Sequence, residues 1–274
     1  MNTPTVSIII PAHGHAGMTE HCVRAALSST DGNSQVEVVV VDDATQPPLA
    51  LTPSSRLRVI RADANLGFSR ACNLGAREAS NDVLVFLNND TEVQAEWLQR
   101  MLDCLVPDVA IVGARLLYRD GTAQHAGIIF SQQDGAPRHV YRGFPGEHPA
   151  VTRTRDMQAV TGACLMIRKA DFLPSEFDEA FVNGFEDIDL CLRMRTRGRR
   201  VVYCGSATVT HLESVSLRRD AAADAERHDS NLARFSDRWG AHVVRDELAT
   251  YADDALLRIT SGDVYPLSAW IAPE

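Results

Sequence analysis

The most constraining feature of this sequence is an abrupt change of polarity after a short apolar run. Residues 83–87 are Val-Leu-Val-Phe-Leu, and they are followed by Asn88, Asn89, Asp90 and Thr91. A short, wholly apolar run is typical of a strand that is buried on both faces of a sheet. In an open α/β sheet, ligands bind beyond the carboxyl ends of such strands. We therefore expect the polar segment to open into a cleft, with a turn that caps the next helix as the alternative.

Strand-like and helix-like patterns alternate over the first 110 residues. Apolar runs that predict strands lie at 6–10, 36–41, 57–60 and 83–87, and helical spacing is found at 18–28 and 68–79. Strands that alternate with helices predict βαβ units, right-handed crossovers and a parallel sheet. We therefore predict the α/β fold class, with a mostly parallel central sheet flanked by helices.

The remainder of the chain is less regular. Residues 131–154 are rich in Gly, Pro, His and Arg and carry little periodicity, which predicts a long loop that gates substrate binding. Around this loop we predict two strands and three helical segments, namely strands at 160–167 and 201–203 and helices around 188–195, 221–239 and 246–257.

Composition restricts the class of protein. The chain has 274 residues, enough for one large core or two small ones, and a formal net charge of −9 without a dominating basic run argues against nucleic acid as a partner. No apolar run approaches the roughly 20 residues that span a bilayer, and no basic segment suggests a signal peptide. Six cysteines without a C-x-x-C pair predict buried thiols in a reducing compartment, and hence a cytoplasmic location.

Four polar clusters end apolar runs. The first three terminate strands of one predicted sheet, so they should converge on the same edge. A carboxylate there can hold a divalent cation that it shares with a substrate's phosphates, or accept hydrogen bonds from a nucleoside, although turns and helix caps remain alternatives. The clusters are Pro11–His13, Asp42–Asp43, Asn88–Asp90 and Gly184–Asp189.

These clusters belong to longer segments that follow one another in a characteristic order. They are SIIIPAHG (7–14), VVVVDDAT (38–45), NLGFSRACNLGAREA (65–79), VLVFLNNDTEV (83–93), GARLLYRDGTAQHAG (113–127), VTGACLMIRKADF (160–172), FVNGFEDIDLCLRMRTRG (181–198) and VTHLESVS (209–216). This succession, which covers residues 5–240, resembles the inverting family-2 glycosyltransferases with a GT-A fold. It looks most like the bacterial branch of rhamnosyltransferase and O-antigen type.

The resemblance implies a division of the chain. Residues 1–240 form a GT-A glycosyltransferase domain, with a nucleotide-sugar half at 1–112 and an acceptor half at 113–240 that carries a small antiparallel extension. Residues 241–274 are then a C-terminal extension that leads into a further module.

The resemblance also implies the substrates. The donor is a nucleotide-diphosphate sugar, used with Mg²⁺ or Mn²⁺, and the transferred sugar is rhamnose or another hexose. The acceptor is a hydroxyl group of a glycan or a lipid-linked glycan. Peripheral association with the inner face of the membrane suits such an acceptor.

Several donor contacts follow from the resemblance alone. Asp43 matches the strand-end carboxylate that contacts the nucleotide base, and Asn73 lies in the segment that flanks the nucleotide and sugar. The nucleotide-binding positions implied are Pro11, His13, Asp43, Asn65, Arg70, Asn88 and Asn89.

The metal-binding motif departs from the family pattern. The segment Asn88–Asp90 matches the family's D-x-D motif, but its first two positions are amides, so Asp90 is the only carboxylate. We therefore expect weaker metal affinity than two carboxylates would give. His211 matches a downstream histidine that completes the metal shell in some members. Because imidazole is not the preferred ligand of Mg²⁺, a structural histidine is the alternative.

The pair Glu186–Asp187 matches the family's catalytic acidic motif. Inverting transfer is one in-line displacement that needs a base for the acceptor hydroxyl and stabilisation of the leaving diphosphate. We expect Asp187 to be the base and Glu186 to orient it or to hold an acceptor hydroxyl. Anions that merely stabilise a helix N-terminus are the alternative, and we expect only this of Asp189.

The sequence bears on three rival functions. A nucleotidyltransferase should carry a basic residue in its first loop, which residues 11–17 lack, and a dinucleotide-binding oxidoreductase needs G-x-G-x-x-G, which Gly14 and Gly17 do not fit. A catalytically weak or inactive carbohydrate- or nucleotide-binding module, with a degenerate D-x-D motif, stays open as the alternative.

Overall fold

The structure is a computed structural model that describes residues 4–30, 35–212, 221–260 and 263–266. The last residues of the segment 209–216 and the predicted extension beyond 266 therefore lie outside the described residues. Along these ranges no helix combines the length and apolarity needed to cross a bilayer.

The first half of the chain alternates strands and helices as predicted. Its elements are β1 (Val6–Ala12), α1 (Ala16–Ser28), β2 (Val36–Asp42), β3 (Leu57–Arg61), α2 (Phe68–Glu78), β4 (Val83–Leu87), β5 (Thr91–Val93) and α3 (Trp97–Cys104).

The strands and helices of the second half vary more in length. Its elements are β6 (Val109–Leu117), β7 (Ala123–His125), β8 (Ile128–Phe130), β9 (Pro137–His139), α4 (Pro149–Thr152), β10 (Arg155–Met157), β11 (Cys164–Arg168), α5 (Lys169–Phe172), α6 (Glu186–Thr196), β12 (Arg200–His211), α7 (Ala221–Trp239), α8 (Glu247–Asp253), β13 (Leu257–Thr260) and β14 (Asp263–Pro266).

One mixed sheet joins the two halves in the order β10-β12-β6-β11-β4-β1-β2-β3. The strands β3, β2, β1 and β4 are parallel, and so are β6 and β12. Strand β11 runs antiparallel to both of its neighbours, β4 and β6. A small antiparallel pair, β8 and β9, lies in the second half. The predicted α/β fold with a mostly parallel sheet is therefore confirmed.

Helices cover both faces of the sheet, which explains the uninterrupted apolar runs. In β4, Val83 and Val85 belong to the core cluster formed with α1 and α3. Leu84 and Phe86 belong to the opposite cluster, which α2, α6 and α7 complete. Because successive strand residues point to opposite faces, every residue of such a strand must be apolar.

Two strands are longer than predicted. Strand β1 continues through Pro11 to Ala12, although its pairing with β4 ends at Ile9. Because Pro11 has no N–H to donate to β4, the end of that pairing allows a proline at this position. Strand β12 extends to His211 across an irregularity between Cys204 and Thr208, whereas the sequence predicted a strand only over 201–203. The prediction of a strand over 160–167 is wrong for residues 160–163, which form the approach to β11.

The prediction of a gating loop over 131–154 is not supported. This segment contains β9 and α4, and the side chains of Val140, Tyr141 and Phe144 are completely buried in the core. Opening it would expose these side chains to water, at a cost of about 1.5–3 kcal/mol for each. The segment lacks periodicity because it consists of turns and very short elements, although it is packed.

The chain beyond residue 240 continues to pack on the second half. Asp246 accepts a hydrogen bond from the Phe130 N–H (2.8 Å), and Tyr251 and Leu256 belong to the core. The predicted domain boundary at residue 240 stays a prediction, but residues 243–256 are structurally part of the same body.

Gly75 lies where α2 packs closest to the sheet, and this contact generates a test of the fold. A Cβ at Gly75 would lie 2.5 Å from Ile9 Cγ2 and 3.0 Å from Val41 Cγ2. We expect Gly75→Ala to lower the free energy of unfolding by about 1–2 kcal/mol, because overpacking outweighs the gain of about 1 kcal/mol in helix propensity. Gly17→Ala is the matched control, since a Cβ in this first turn of α1 meets nothing within 4 Å. Urea unfolding should rank Gly75→Ala below the parent and Gly17→Ala at or above it; the reverse order would contradict the packing.

Candidate active site

The predicted convergence of polar clusters is found at the carboxyl edge of the sheet. Ala12 and Asp42 are register partners at the ends of β1 and β2. The chain after them stays together, since His13 Nδ1 lies 2.6 Å from the Asp43 carbonyl oxygen. Pro11 is buried within β1, whereas His13 is exposed at the edge. His13 is therefore available to a ligand, and the side chain of Pro11 is not.

The two aspartates after β2 have different partners. Asp42 accepts hydrogen bonds from the Thr45 and Leu49 N–H groups and pairs with Arg61. Burial alone would raise the pKa of Asp42, but these hydrogen bonds outweigh it and lower the pKa. Asp42 thus has a structural role in shaping the loop after β2.

Asp43 holds the approach to α2. Its Oδ1 accepts from the Leu66 N–H (2.6 Å) and its Oδ2 from the Gly67 N–H (3.0 Å), and the residue is only 4% exposed. A carboxylate has capacity for further hydrogen bonds, so base recognition by Asp43 stays a prediction. The visible role of this carboxylate is to position the loop beside the edge.

The other predicted donor contacts flank this loop. Asn65 is exposed and its Oδ1 accepts from the Gly67 N–H (3.0 Å). Arg70 is exposed but pairs with Glu179 (2.9 Å). Asn73 is buried, and its amide bonds the backbone of Phe177. Asn73 is therefore structural, whereas Asn65 and Arg70 remain accessible.

The turn after β4 brings Asp90 and His211 together. Asp90 Oδ1 lies 3.1 Å from His211 Nε2, and the Asn88 amide nitrogen lies 3.2 Å from the same ring nitrogen. Asn89 donates to the Thr19 hydroxyl (2.9 Å) and so ties the turn to α1. Because the turn leads directly into β5, the alternative of a helix cap is wrong.

Gln124 orients the imidazole of His211. Its Oε1 lies 2.7 Å from His211 Nδ1, and only a ring nitrogen that carries a proton can donate to it. In the neutral ring, Nε2 then presents a lone pair toward the carboxylate of Asp90. A histidine whose other nitrogen donates to an oxygen, with its free nitrogen beside a carboxylate, is the arrangement of a metal ligand.

The donor set fits a cation that also binds a substrate. Among the described ranges, no group of three or more His, Cys, Asp or Glu side chains could hold a metal by itself. Mg²⁺ is commonly held by one or two carboxylates and by substrate phosphates. Asp90 also borders an open cleft of about 580 Å³, which Arg119 lines as well. Arg119 and Gln124 were missed from the sequence, although both lie in the segment 113–127.

The catalytic pair predicted at Glu186–Asp187 opens helix α6. Asp187 is partly exposed and accepts hydrogen bonds from the Gly162 N–H (2.7 Å) and the Ile188 N–H (2.8 Å). Glu186 is 5% exposed and accepts from the Gly184 N–H (2.6 Å). The two carboxyl groups thus have unequal access to solvent and unequal hydrogen bonding.

These environments shift both pKa values. Burial and the neighbouring charge of Asp187 raise the pKa of Glu186 to about 8. Burial also raises the pKa of Asp187, but hydrogen bonds from Gly162, Ile188 and the Thr161 hydroxyl oppose the shift. A pKa of about 8 leaves Glu186 largely protonated near neutral pH, whereas the hydrogen bonds to Asp187 favour the ionised form of that carboxyl group.

Strand β11 links the acidic pair to the donor edge. Because β11 is antiparallel to β4, its first residue, Cys164, pairs with Leu87 at the end of β4. Just before it, the Ala163 carbonyl accepts from the Asn88 N–H (2.9 Å), and the next residue back, Gly162, binds Asp187. The fourth polar cluster therefore reaches the same edge as the other three.

Asp189 does more than stabilise a helix N-terminus. It is completely buried, and it pairs with Arg193 (2.7 Å) and Arg238 (2.8 Å) while accepting from Trp239 Nε1 (2.9 Å). The expectation of a simple helix cap is corrected, because this carboxylate attaches α7 to α6. With three partners in the core, Asp189 is not available to a substrate.

The sequence matches the family model "Glycosyl transferase family 2" over residues 7–172. It is 32% identical over 237 residues to the O-antigen biosynthesis protein RfbC of Myxococcus xanthus. The aligned region covers 82% of this chain and 18% of that protein. The chain spans 18% of the length of RfbC and 28% of the length of the Sinorhizobium fredii protein y4gI, to which it is 31% identical over 261 residues.

Solved structures support the same conclusion at the level of the fold. GalNAc-T7, solved with UDP, GalNAc and Mn²⁺, superposes with a TM-score of 0.62 at 16% identity, over 78% of this chain and 44% of that one. The mannosyltransferase PcManGT of Pyrobaculum calidifontis, solved with GDP-Man and Mn²⁺, gives a TM-score of 0.61 at 17% identity, over 89% of this chain and 66% of that one. The chain therefore belongs to glycosyl transferase family 2 and has the GT-A-type fold of these glycosyltransferases.

Proposed function

We propose that this chain transfers a sugar, rhamnose or another hexose, from a nucleotide-diphosphate donor to a hydroxyl group of a glycan or lipid-linked glycan, with inversion at the anomeric carbon. Its family and its similarity to an O-antigen biosynthesis protein support this class of acceptor. A lipid-linked acceptor would bring the protein to the inner face of the membrane by peripheral association.

The proposal rests on two carboxylates, Asp90 and Asp187, that lie along the same edge of the sheet in different surroundings. Asp90 lies beside His211 and an open cleft, where a negatively charged diphosphate and a cation can enter. Asp187 is partly exposed, and the turn before β11 links it to Asn88 through hydrogen bonds of Gly162 and Ala163. One centre suits a leaving group that becomes more negative, and the other suits removal of a proton.

The donor side would be held by residues of the first half. Asp90 and His211 are the side chains that would hold Mg²⁺ or Mn²⁺, which when bound would stabilise the charge on the departing diphosphate. The amide of Asn88 and the exposed side chains of His13 and Asn65 face the same edge. Solved relatives of the fold that contain UDP or GDP-Man with Mn²⁺ support a donor and a cation of these classes.

Asp187 is the better candidate for the base. The backbone N–H groups of Gly162 and Ile188 stabilise its ionised form and fix the direction of its carboxylate. Glu186, with its raised pKa, keeps a proton near neutral pH and is nearly inaccessible. A protonated carboxyl group cannot accept the acceptor's proton, but it can hold the position of its neighbour.

The reaction then proceeds in one displacement. The acceptor hydroxyl gives its proton to Asp187 while its oxygen forms a bond to the anomeric carbon. The bond between that carbon and the diphosphate oxygen breaks on the opposite face, so the configuration inverts and the nucleoside diphosphate leaves with the electron pair.

Removal of Asp90 tests the cation site. We expect Asp90→Ala to abolish the dependence of UDP, GDP or dTDP binding on Mn²⁺, because Asp90 is the only carboxylate of the segment Asn88–Asp90. Calorimetric titrations with and without Mn²⁺ measure this dependence. Asp82→Ala is the matched control, since Asp82 is an exposed aspartate at the opposite end of β4. Equal Mn²⁺-dependent binding by the parent and Asp90→Ala would refute the assignment.

Replacement of each carboxyl group by its amide tests the base. Asp187→Asn should leave nucleotide binding intact and slow sugar transfer by about 10²-fold or more, the usual share of general-base catalysis. Glu186→Gln should slow it less, because the amide resembles a protonated carboxyl group. Transfer rates from a panel of nucleotide sugars with Mn²⁺ provide the measurement. If Glu186→Gln transfers sugar slowly while Asp187→Asn stays fast, Glu186 is the base instead of Asp187. If both variants stay active, the two carboxyl groups only stabilise the N-terminus of α6.

The raised pKa of Glu186 predicts a pH-dependent stability. A carboxyl group with a higher pKa in the folded state binds its proton more tightly there, so the free energy of unfolding falls as pH rises from the ordinary 4.5 to about 8. Glu186→Gln cannot ionise and lacks this loss. Denaturant unfolding between pH 5 and pH 9 should therefore show the variant gaining stability relative to the parent as pH rises. A constant difference across this range would mean that Glu186 has an ordinary pKa.

A further inference from the structure

The loop that precedes the acidic pair has an unusual backbone. Three successive residues, Asn183, Gly184 and Phe185, have φ angles of 51°, 147° and 73°. Residues other than glycine rarely adopt such angles, and a run of them persists only where surrounding contacts hold it. Since Glu186 follows directly, the path of this loop sets where both carboxyl groups point.

The buried side chain of Asn231 holds this loop from α7. Its Oδ1 accepts from the Val182 N–H (3.3 Å), and its Nδ2 donates to the carbonyl oxygens of Val182 (3.0 Å) and Gly184 (3.1 Å). Asn231 is only 4% exposed. It thus bonds the backbone on both sides of the first left-handed residue.

The same face of α7 contacts the acidic motif at three levels. One turn after Asn231, the Phe235 ring packs 5.5 Å from the Phe185 ring. Another turn on, Arg238 and Trp239 bond Asp189. Positions spaced by three and four residues lie on one side of a helix, so α7 aligns the whole stretch from Val182 to Asp189.

We propose that Asn231 is a positioning residue that fixes the left-handed loop and thereby directs the carboxyl groups of Glu186 and Asp187. Only an amide supplies an acceptor and two donors in one planar group of this size. An aspartate would keep the bond from Val182 and lose both donations to carbonyl oxygens. This role rests on the proposed function, since it assumes that the acidic pair performs the proton transfer.

Kinetics of Asn231→Ala and Asn231→Asp test the role. Without the hydrogen bonds, the loop can relax to ordinary φ angles and displace the carboxyl groups, so we expect kcat to fall about 10- to 100-fold. The KM of the donor should stay within about twofold, because the Asp90 and His211 end of the edge is unaffected. The measurement is the rate of nucleotide release from UDP-glucose, GDP-mannose or dTDP-rhamnose in the presence of Mn²⁺. Each rate is divided by the concentration of sites that bind UDP, GDP or dTDP, so that kcat refers only to folded protein.

A matched control separates positioning from stability. Gln158 is also a buried amide, and it likewise makes three hydrogen bonds, two to Val244 and one to Asp246. Gln158→Ala should lower Tm to a similar extent while leaving kcat per binding site and its pH profile at parental values. A loss of kcat in Gln158→Ala equal to that in Asn231→Ala would overturn the proposal.

A second readout does not depend on turnover. If Asn231 holds Glu186 in its buried position, the pH-dependent stability difference between the parent and Glu186→Gln should shrink by half or more when both carry Asn231→Ala. An unchanged difference would overturn the proposal, as would parental kcat and pH profile in both Asn231 variants. If the parent transfers no sugar but the pH-dependent stability difference still shrinks in the Asn231→Ala background, Asn231 does position Glu186 and the proposed function is rejected.

Discussion

The arrangement of the site depends on one reversed strand. Strand β11 lies between β4 and β6 and runs against both, so it begins where β4 ends. The turn ahead of it bonds Asn88 through Ala163 and Asp187 through Gly162. A parallel strand in this place would begin at the opposite edge of the sheet and would carry Asp187 away from Asn88. The antiparallel ladder is therefore what joins the two halves into one site.

Environment rather than residue type divides the acidic residues into roles. Asp42 and Asp189 are fully engaged with arginines and backbone or indole N–H groups, and they hold loops and helices together. Glu186 is buried with one hydrogen bond and so favours its neutral form. Asp90 borders an open cleft and lies beside His211. The balance of burial, charge and hydrogen bonding determines which carboxylate can meet a substrate.

The second half of the chain supplies groups that hold the side chains of the candidate site. Gln124 sets the ring of His211, Gly162 sets the carboxylate of Asp187, and Asn231 sets the loop before Glu186. Gln124 lies in β7 and Asn231 in α7, and Gly162 lies in the turn directly before β11, so all three are held by elements that pack against the apolar core. Catalytic geometry of this kind requires supporting residues whose own positions are fixed.

The sequence by itself determined the alternation of elements and the convergence of the strand ends. Uninterrupted Val and Ile runs allow only strands buried on both faces, and parallel strands must end at one edge, which brought Asp43 and Asp90 to the same side. Local patterns could not reveal the reversal of β11, the continuation of β12 to His211 or the packing of residues 131–154, because these depend on partners more than 30 residues away. The tertiary structure alone decided that Asn73 is structural and that Asp189 joins α6 to α7. It alone also brought Gln124 to His211 and Asn231 to the loop before Glu186. Hydrogen bonds between distant segments, which no spacing records, make that distinction.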